Sequence, residues 1–150
     1  RDRIMPDLGL GAALAAGQVS DVLEIASRLV GRGPGLTPDG DDLLAATVAS
    51  FRLMGSALGV ADAPGRVDAV FAELAELAAD RTTALAAALL RHACAGNVAT
   101  PVAGLLLALS GRGRVPTAAD GLLDIGHTSG LALLSGVVAG VEAACQEASV

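Results

Sequence analysis

Residues able to do chemistry concentrate in two short segments of this chain. The first is Gly31-Arg32-Gly33-Pro34-Gly35-Leu36-Thr37-Pro38-Asp39-Gly40-Asp41-Asp42, with four glycines, two prolines and three acids. It leads directly into the apolar run Leu43 to Val48. Proline fixes φ and removes a donor, and glycine admits close approaches that other residues forbid. The segment therefore reads as a shaped loop ending in a helix N-terminus. The second is Gly126-His127-Thr128-Ser129-Gly130, which also opens an apolar helix.

Thr37 can cap the helix after the first loop, with Pro38 at its first position, or Asp39 can be the cap itself. Either arrangement leaves first-turn N–H groups and the positive end of the helix dipole facing the loop. Gly35, Thr37, Asp39 and Gly40 are then candidates for binding a small anion. Capping alone accounts for Asp39. Asp41 and Asp42 are harder to explain, because adjacent helical residues point about 100° apart. One can hold the loop by accepting its N–H groups. The other is left for a divalent cation such as Mg²⁺, a base role or a substrate donor. His127 can donate from one ring nitrogen and accept on the other, beside the Thr128 and Ser129 hydroxyls. Any metal role for it needs Asp41 or Asp42 as partners. His92, next to Arg91 on a helical stretch, reads as an ordinary surface or structural residue. No nucleophile elbow, zinc-ligand spacing or dinucleotide fingerprint occurs.

The elements that must position these loops are helices. The chain is 53% hydrophobic, yet it has no Trp or Tyr and only Phe51 and Phe71, so its core consists of small aliphatic side chains. Such a composition suits closely packed helices. Helical spacing predicts segments near Leu8–Ala16, Val22–Leu29, Asp39–Leu58, Arg66–Asp80, Thr83–Cys94, Thr100–Leu109, Thr117–Ile125 and Thr128–Glu147. Phe71 and Leu77 are placed inward on the fourth of these; the fifth runs through Leu85, Leu89 and Cys94, is capped by Thr82 or Thr83, and is ended by Gly96-Asn97. Thr100 before Pro101 reads as a cap. In the last helix Ala132, Gly136, Gly140 and Ala144 recur every fourth residue, a small-residue stripe for close helix contact. No stretch alternates with period two. The fold class is all-α, a compact bundle of about seven or eight Ala/Leu-rich helices forming a single domain over residues 1–150.

Charge narrows the partners. Ten Arg, no Lys and sixteen acids give a net charge of -6. That balance argues against nucleic acid, which demands a basic face and, for single strands, aromatic platforms. The apolar runs Val102–Leu109 and Leu131–Val141 fall short of the roughly 20 residues that span a bilayer, so no membrane role is expected. Cys94 and Cys145 lie within helical patterns and read as buried or half-buried thiols in a soluble cytoplasmic protein.

Taken together, the two loop motifs resemble those of the AllH family, long catalogued as a domain of unknown function and linked to oxamate carbamoyltransferase. The segment Ala88 to Ala93 resembles the family as well, so the likeness covers nearly all of the chain. Two positions depart from it: Asp39 stands where the family has serine, and Ala46 where it usually has glycine. The resemblance implies a further region preceding this domain, making the chain the C-terminal part of a longer protein. It also implies a subunit working with two different partner subunits in purine or allantoin breakdown, interconverting oxalurate and phosphate with oxamate and carbamoyl phosphate. On that basis first-turn N–H groups after Thr37 would hold phosphate or carboxylate. His127 and Thr128 would steady a carbonyl, and Asp41 or Asp42 would orient an amide nitrogen or hold a cation. Two other readings stand beside it: a non-catalytic assembly subunit, and a metal-dependent hydrolase of a small amide built on Asp41, Asp42 and His127.

Overall fold

The computed structural model describes residues 4–150 and is all-helical over them. Its elements are α1 (Leu10–Ala16), α2 (Val19–Leu29), α3 (Asp39–Leu58), α4 (Ala63–Arg81), α5 (Ala84–Cys94), α6 (Thr100–Leu109), α7 (Val115–Leu123) and α8 (Ser129–Ala148). The largest fully buried side chains include Phe51 of α3, Leu10 and Leu14 of α1, Leu74 of α4, Leu90 of α5 and Leu105 of α6. One core thus runs through most of the elements.

The pairing of α3 with α8 organises that core. A Cβ added at Gly136 would lie 2.5 Å from the Leu43 carbonyl oxygen and 2.6 Å from the Ala46 Cβ. One turn further on, a Cβ at Gly140 would lie 2.5 Å from the Thr47 carbonyl oxygen and 2.9 Å from the Phe51 nitrogen. The small-residue stripe on α8 therefore lets two backbones approach where any side chain would hold them apart. Because register advances in the same sense on both helices, α3 and α8 run parallel. Their N-termini lie together at one end, and each is preceded by one of the two glycine-rich loops.

α8 is 20 residues long with a mean hydropathy of 1.3, enough by length and composition to cross a membrane. The apolar run Leu131–Val141 within it is bounded by Gly130 and Glu142 and interrupted by Ser135, Gly136 and Gly140. Those interruptions are the positions buried in the core.

Several local expectations shift. Pro38 occupies the position before α3 with no side-chain cap, so neither Thr37 nor Asp39 caps that helix. Ala99, not Thr100, precedes the first turn of α6. Thr83 does cap α5, accepting from the Ala86 N–H at 3.0 Å. On α4 the buried stripe is Val67, Val70, Leu74 and Ala78, which leaves Phe71 at the edge and 37% exposed. On α5 the buried residues are Ala86, Ala87, Leu90, Ala93 and Cys94, while Leu89 is partly exposed and lines the cavity described below. Cys94 is buried but Cys145 is exposed, which corrects the expectation of two sheltered thiols.

Candidate functional site

The first loop is shaped by glycine and held by Asp41. Gly33 and Gly35 adopt φ of 118° and 86°, which lets the chain reverse between α2 and α3. Gly40 packs against the Leu29 carbonyl, where a side chain has no room, and its N–H donates to the Arg32 carbonyl at 2.9 Å. The Asp41 carboxylate is buried and accepts the Gly31 N–H at 3.1 and 3.2 Å. It also accepts the Thr82 hydroxyl at 2.6 Å. Burial raises the Asp41 carboxyl above its ordinary range, opposed by the bonds from Thr82 and Gly31. Asp41 is thus the acid that ties the loop to the α4–α5 junction.

The second loop is joined to the first across the parallel helix pair. The Thr37 and Ser129 hydroxyls lie 3.1 Å apart. The Thr128 hydroxyl donates to Asp39 Oδ1 at 2.6 Å, and the Thr83 hydroxyl donates to the Leu36 carbonyl at 2.5 Å. Two helix N-termini meet here, and Asp39, Asp41 and Asp42 place negative charge against their positive ends. The first-turn N–H groups of Gly40, Asp41 and Asp42 donate to the Arg32 and Pro38 carbonyls. Those three donors are engaged within the chain and are not presented to an anion.

Beneath this junction lies a cavity of about 530 Å³ between α3, α5, the start of α6 and α8. Its walls are mainly aliphatic, among them Ala45, Ala46, Val102 and Leu133, with polar groups from Thr37, Asp42, His92, Asn97 and Ser129. Asp42 is 7% exposed, and its Oδ2 is buried without a hydrogen-bond partner. Burial pushes the Asp42 carboxyl up from 3.8 to about 6; the Ser129 hydroxyl opposes the shift, and the charges of Asp39 and Asp41 add to it. A buried carboxylate oxygen is costly unless something donates to it. The other buried oxygen without a partner, Ser50 Oγ, does not line this cavity.

The residues expected to form the site therefore separate. Thr37, Asp42 and Ser129 line the cavity. Asp39 and Thr128 clamp the two loops together above it. Asp41 is structural, and Gly35 and Gly40 shape and pack the loop. His127 is exposed and lies outside the cavity lining. Among the described residues no group of three or more His, Cys, Asp or Glu side chains is placed to hold a metal ion, so the Asp41, Asp42 and His127 cluster is not formed. Two wall residues escaped the sequence reading. His92 looked like a surface residue, and Asn97 like part of a helix stop. Their only signal was the Gly96 turn between them. Burial pushes the nearby Cys94 thiol up to about 12, which keeps it protonated and unreactive.

The site is a largely aliphatic cavity with a few polar groups, set under two clamped loops in an all-helical chain. The chain belongs to the AllH family, whose model, described as oxamate carbamoyltransferase subunit AllH, matches residues 29–141. The match takes in both loops and every wall of the cavity. No solved structure matches the chain.

Proposed function

We propose that this chain is the AllH-type subunit of an oxamate carbamoyltransferase-like complex, and that its cavity binds the amide end of a small substrate. The observation that carries this reading is Asp42, a buried side chain that lines the cavity and whose Oδ2 has no hydrogen-bond partner. An ionised carboxylate only accepts hydrogen bonds, so it selects an –NH2 group and repels a carboxylate or phosphate. Oxamate and the carbamoyl group both end in such an amide. The mainly aliphatic lining lowers the local dielectric and strengthens the contact.

Carbamoyl transfer to oxamate forms a bond from the amide nitrogen to the carbamoyl carbon and breaks the bond from that carbon to the phosphate oxygen. Phosphate leaves with the electron pair, and the nitrogen gives up a proton. An acid held near 6 is suited to take that proton at neutral pH. Companion subunits would supply the remaining groups, in keeping with the family's description as a subunit. The setting implied is purine or allantoin breakdown. The test is turnover of the assembled complex with Asp42→Asn. A fall of about 100-fold or more with assembly intact is expected for loss of an acid–base group. Unchanged turnover would remove Asp42 from the reaction.

Exposed leucines favour a second role in assembly. Leu85, Leu107, Leu109 and Leu123 are each more than 40% exposed, the kind of apolar surface a companion subunit covers. If Leu107→Glu abolishes complex formation while Asp42→Asn leaves turnover intact, the assembly role stands alone.

A further inference from the structure

His92 and Asn97 form one rigid corner of the cavity. The end of α5 closes on Gly96, whose φ of 87° is open to glycine and strained for most other residues. The Asn97 N–H then donates to the His92 carbonyl at 2.9 Å, and the Ala95 N–H donates to the same oxygen at 3.1 Å. This closure fixes residues 92 and 97 side by side. Both line the cavity, and both are solvent-exposed, which puts them at its rim. Asp42, by contrast, is buried on the α3 wall.

The cavity's polar groups therefore fall into two sets: Asp42 with the Thr37 and Ser129 hydroxyls, and His92 with Asn97 at the rim. The Asp42 wall offers a negative acceptor. The rim offers an imidazole and a carboxamide, both able to donate. Among the described residues no Arg or Lys lines the cavity, so none of them neutralises a ligand's negative end beside Asp42. Only the rim has donors free of that repulsion.

We infer that His92 and Asn97 orient the substrate: its amide enters first, toward Asp42, and its anionic end is held at the rim by hydrogen bonds from these two side chains. His92 is a positioning residue in this account and fixes the preference for a charged over a neutral amide. The inference rests on the proposed amide site.

The test uses the complex assembled with its companion subunits, titrated calorimetrically with oxamate and with oxamide, the neutral diamide. Wild type is expected to bind oxamate more tightly. His92→Ala is expected to weaken oxamate about tenfold, the scale of one lost hydrogen bond to a charged group, while oxamide changes less than twofold. His92→Lys, which restores a donor with positive charge, is expected to recover oxamate binding. A melting temperature matching wild type confirms that the exposed rim substitutions leave the fold intact. Equal weakening of both ligands, or none of either, overturns the rim assignment while leaving the amide site standing if Asp42→Asn still abolishes binding. If wild type binds neither ligand, or Asp42→Asn binds both normally, the amide site itself fails and the rim assignment falls with it.

Discussion

The hydroxyls of Thr37 and Ser129 meet at 3.1 Å across the end of the α3–α8 pair, joining loops 92 positions apart in sequence. The contact can exist because Gly136 and Gly140 let the two helices run parallel in near backbone contact. Both residues also line the cavity, so the same hydroxyls close the loops and frame the site. Ser129→Ala should cost about 1 kcal/mol of stability, the usual worth of one hydrogen bond. It should also speed amide hydrogen exchange in the Gly33–Thr37 loop. Unaltered exchange there would mean that the loop stands without the contact.

Asp42 gives the protein a stability that falls with rising pH. An acid whose folded value, about 6, lies above its ordinary 3.8 binds more protons folded than unfolded between those limits. Stability is then highest below that window and declines as pH rises through it. The full effect is on the order of 3 kcal/mol. Denaturant unfolding of Asp42→Asn should show a shallower decline between about pH 4 and 6 and greater stability at pH 7 than wild type. A slope identical to wild type would show that the carboxylate is solvated after all. Asp41, raised in the same direction, contributes slope that the variant retains.

Asp41→Ala should instead destabilise at neutral pH. It strips the acceptor from the Gly31 N–H and the Thr82 hydroxyl, and it opens a gap at the start of α3. About 2 kcal/mol is expected for leaving these buried partners unmet. Urea midpoints for this variant near wild type would show that water replaces the carboxylate without loss.

Gly140→Ala sets two effects against each other. Alanine gains about 1 kcal/mol of helix propensity over glycine. The added methyl would sit 2.5 Å from the Thr47 carbonyl oxygen, a backbone atom that moves only with all of α3. Overpacking of this kind typically costs about 1–3 kcal/mol, so the variant should melt below wild type. A higher melting temperature would mean that the helix pair has slack.

His127 lies outside the cavity, so His127→Ala should leave ligand affinity of the complex within about twofold, well under the loss of one hydrogen bond. Loss of binding in that variant would bring the imidazole back into the site.

The two loops were legible because their signals are local. Glycine and proline mark where the chain bends, and acids before an apolar run mark a helix start. The division of labour between Asp41 and Asp42 was legible only as an alternative. Their 100° separation guarantees different surroundings, but which one meets Gly31 and Thr82 depends on where α2 and α5 lie. The sequence also could not show that the Arg32 and Pro38 carbonyls take the N–H groups of Gly40, Asp41 and Asp42. Phe71 was misplaced because hydrophobicity alone does not say where a buried stripe ends.

By itself, the sequence determined that this chain is helical, where its helices break, and that acidic and hydroxyl side chains gather at two glycine-rich helix starts. Those properties follow from backbone freedom and side-chain periodicity within a few residues. The tertiary structure decided that α3 and α8 pair in parallel, that Asp42 rather than Asp41 or His127 lines the cavity, and that His92 and Asn97 stand at its rim. Each of these depends on contacts between residues far apart in the chain, where burial and the loss of solvent set what a side chain can do.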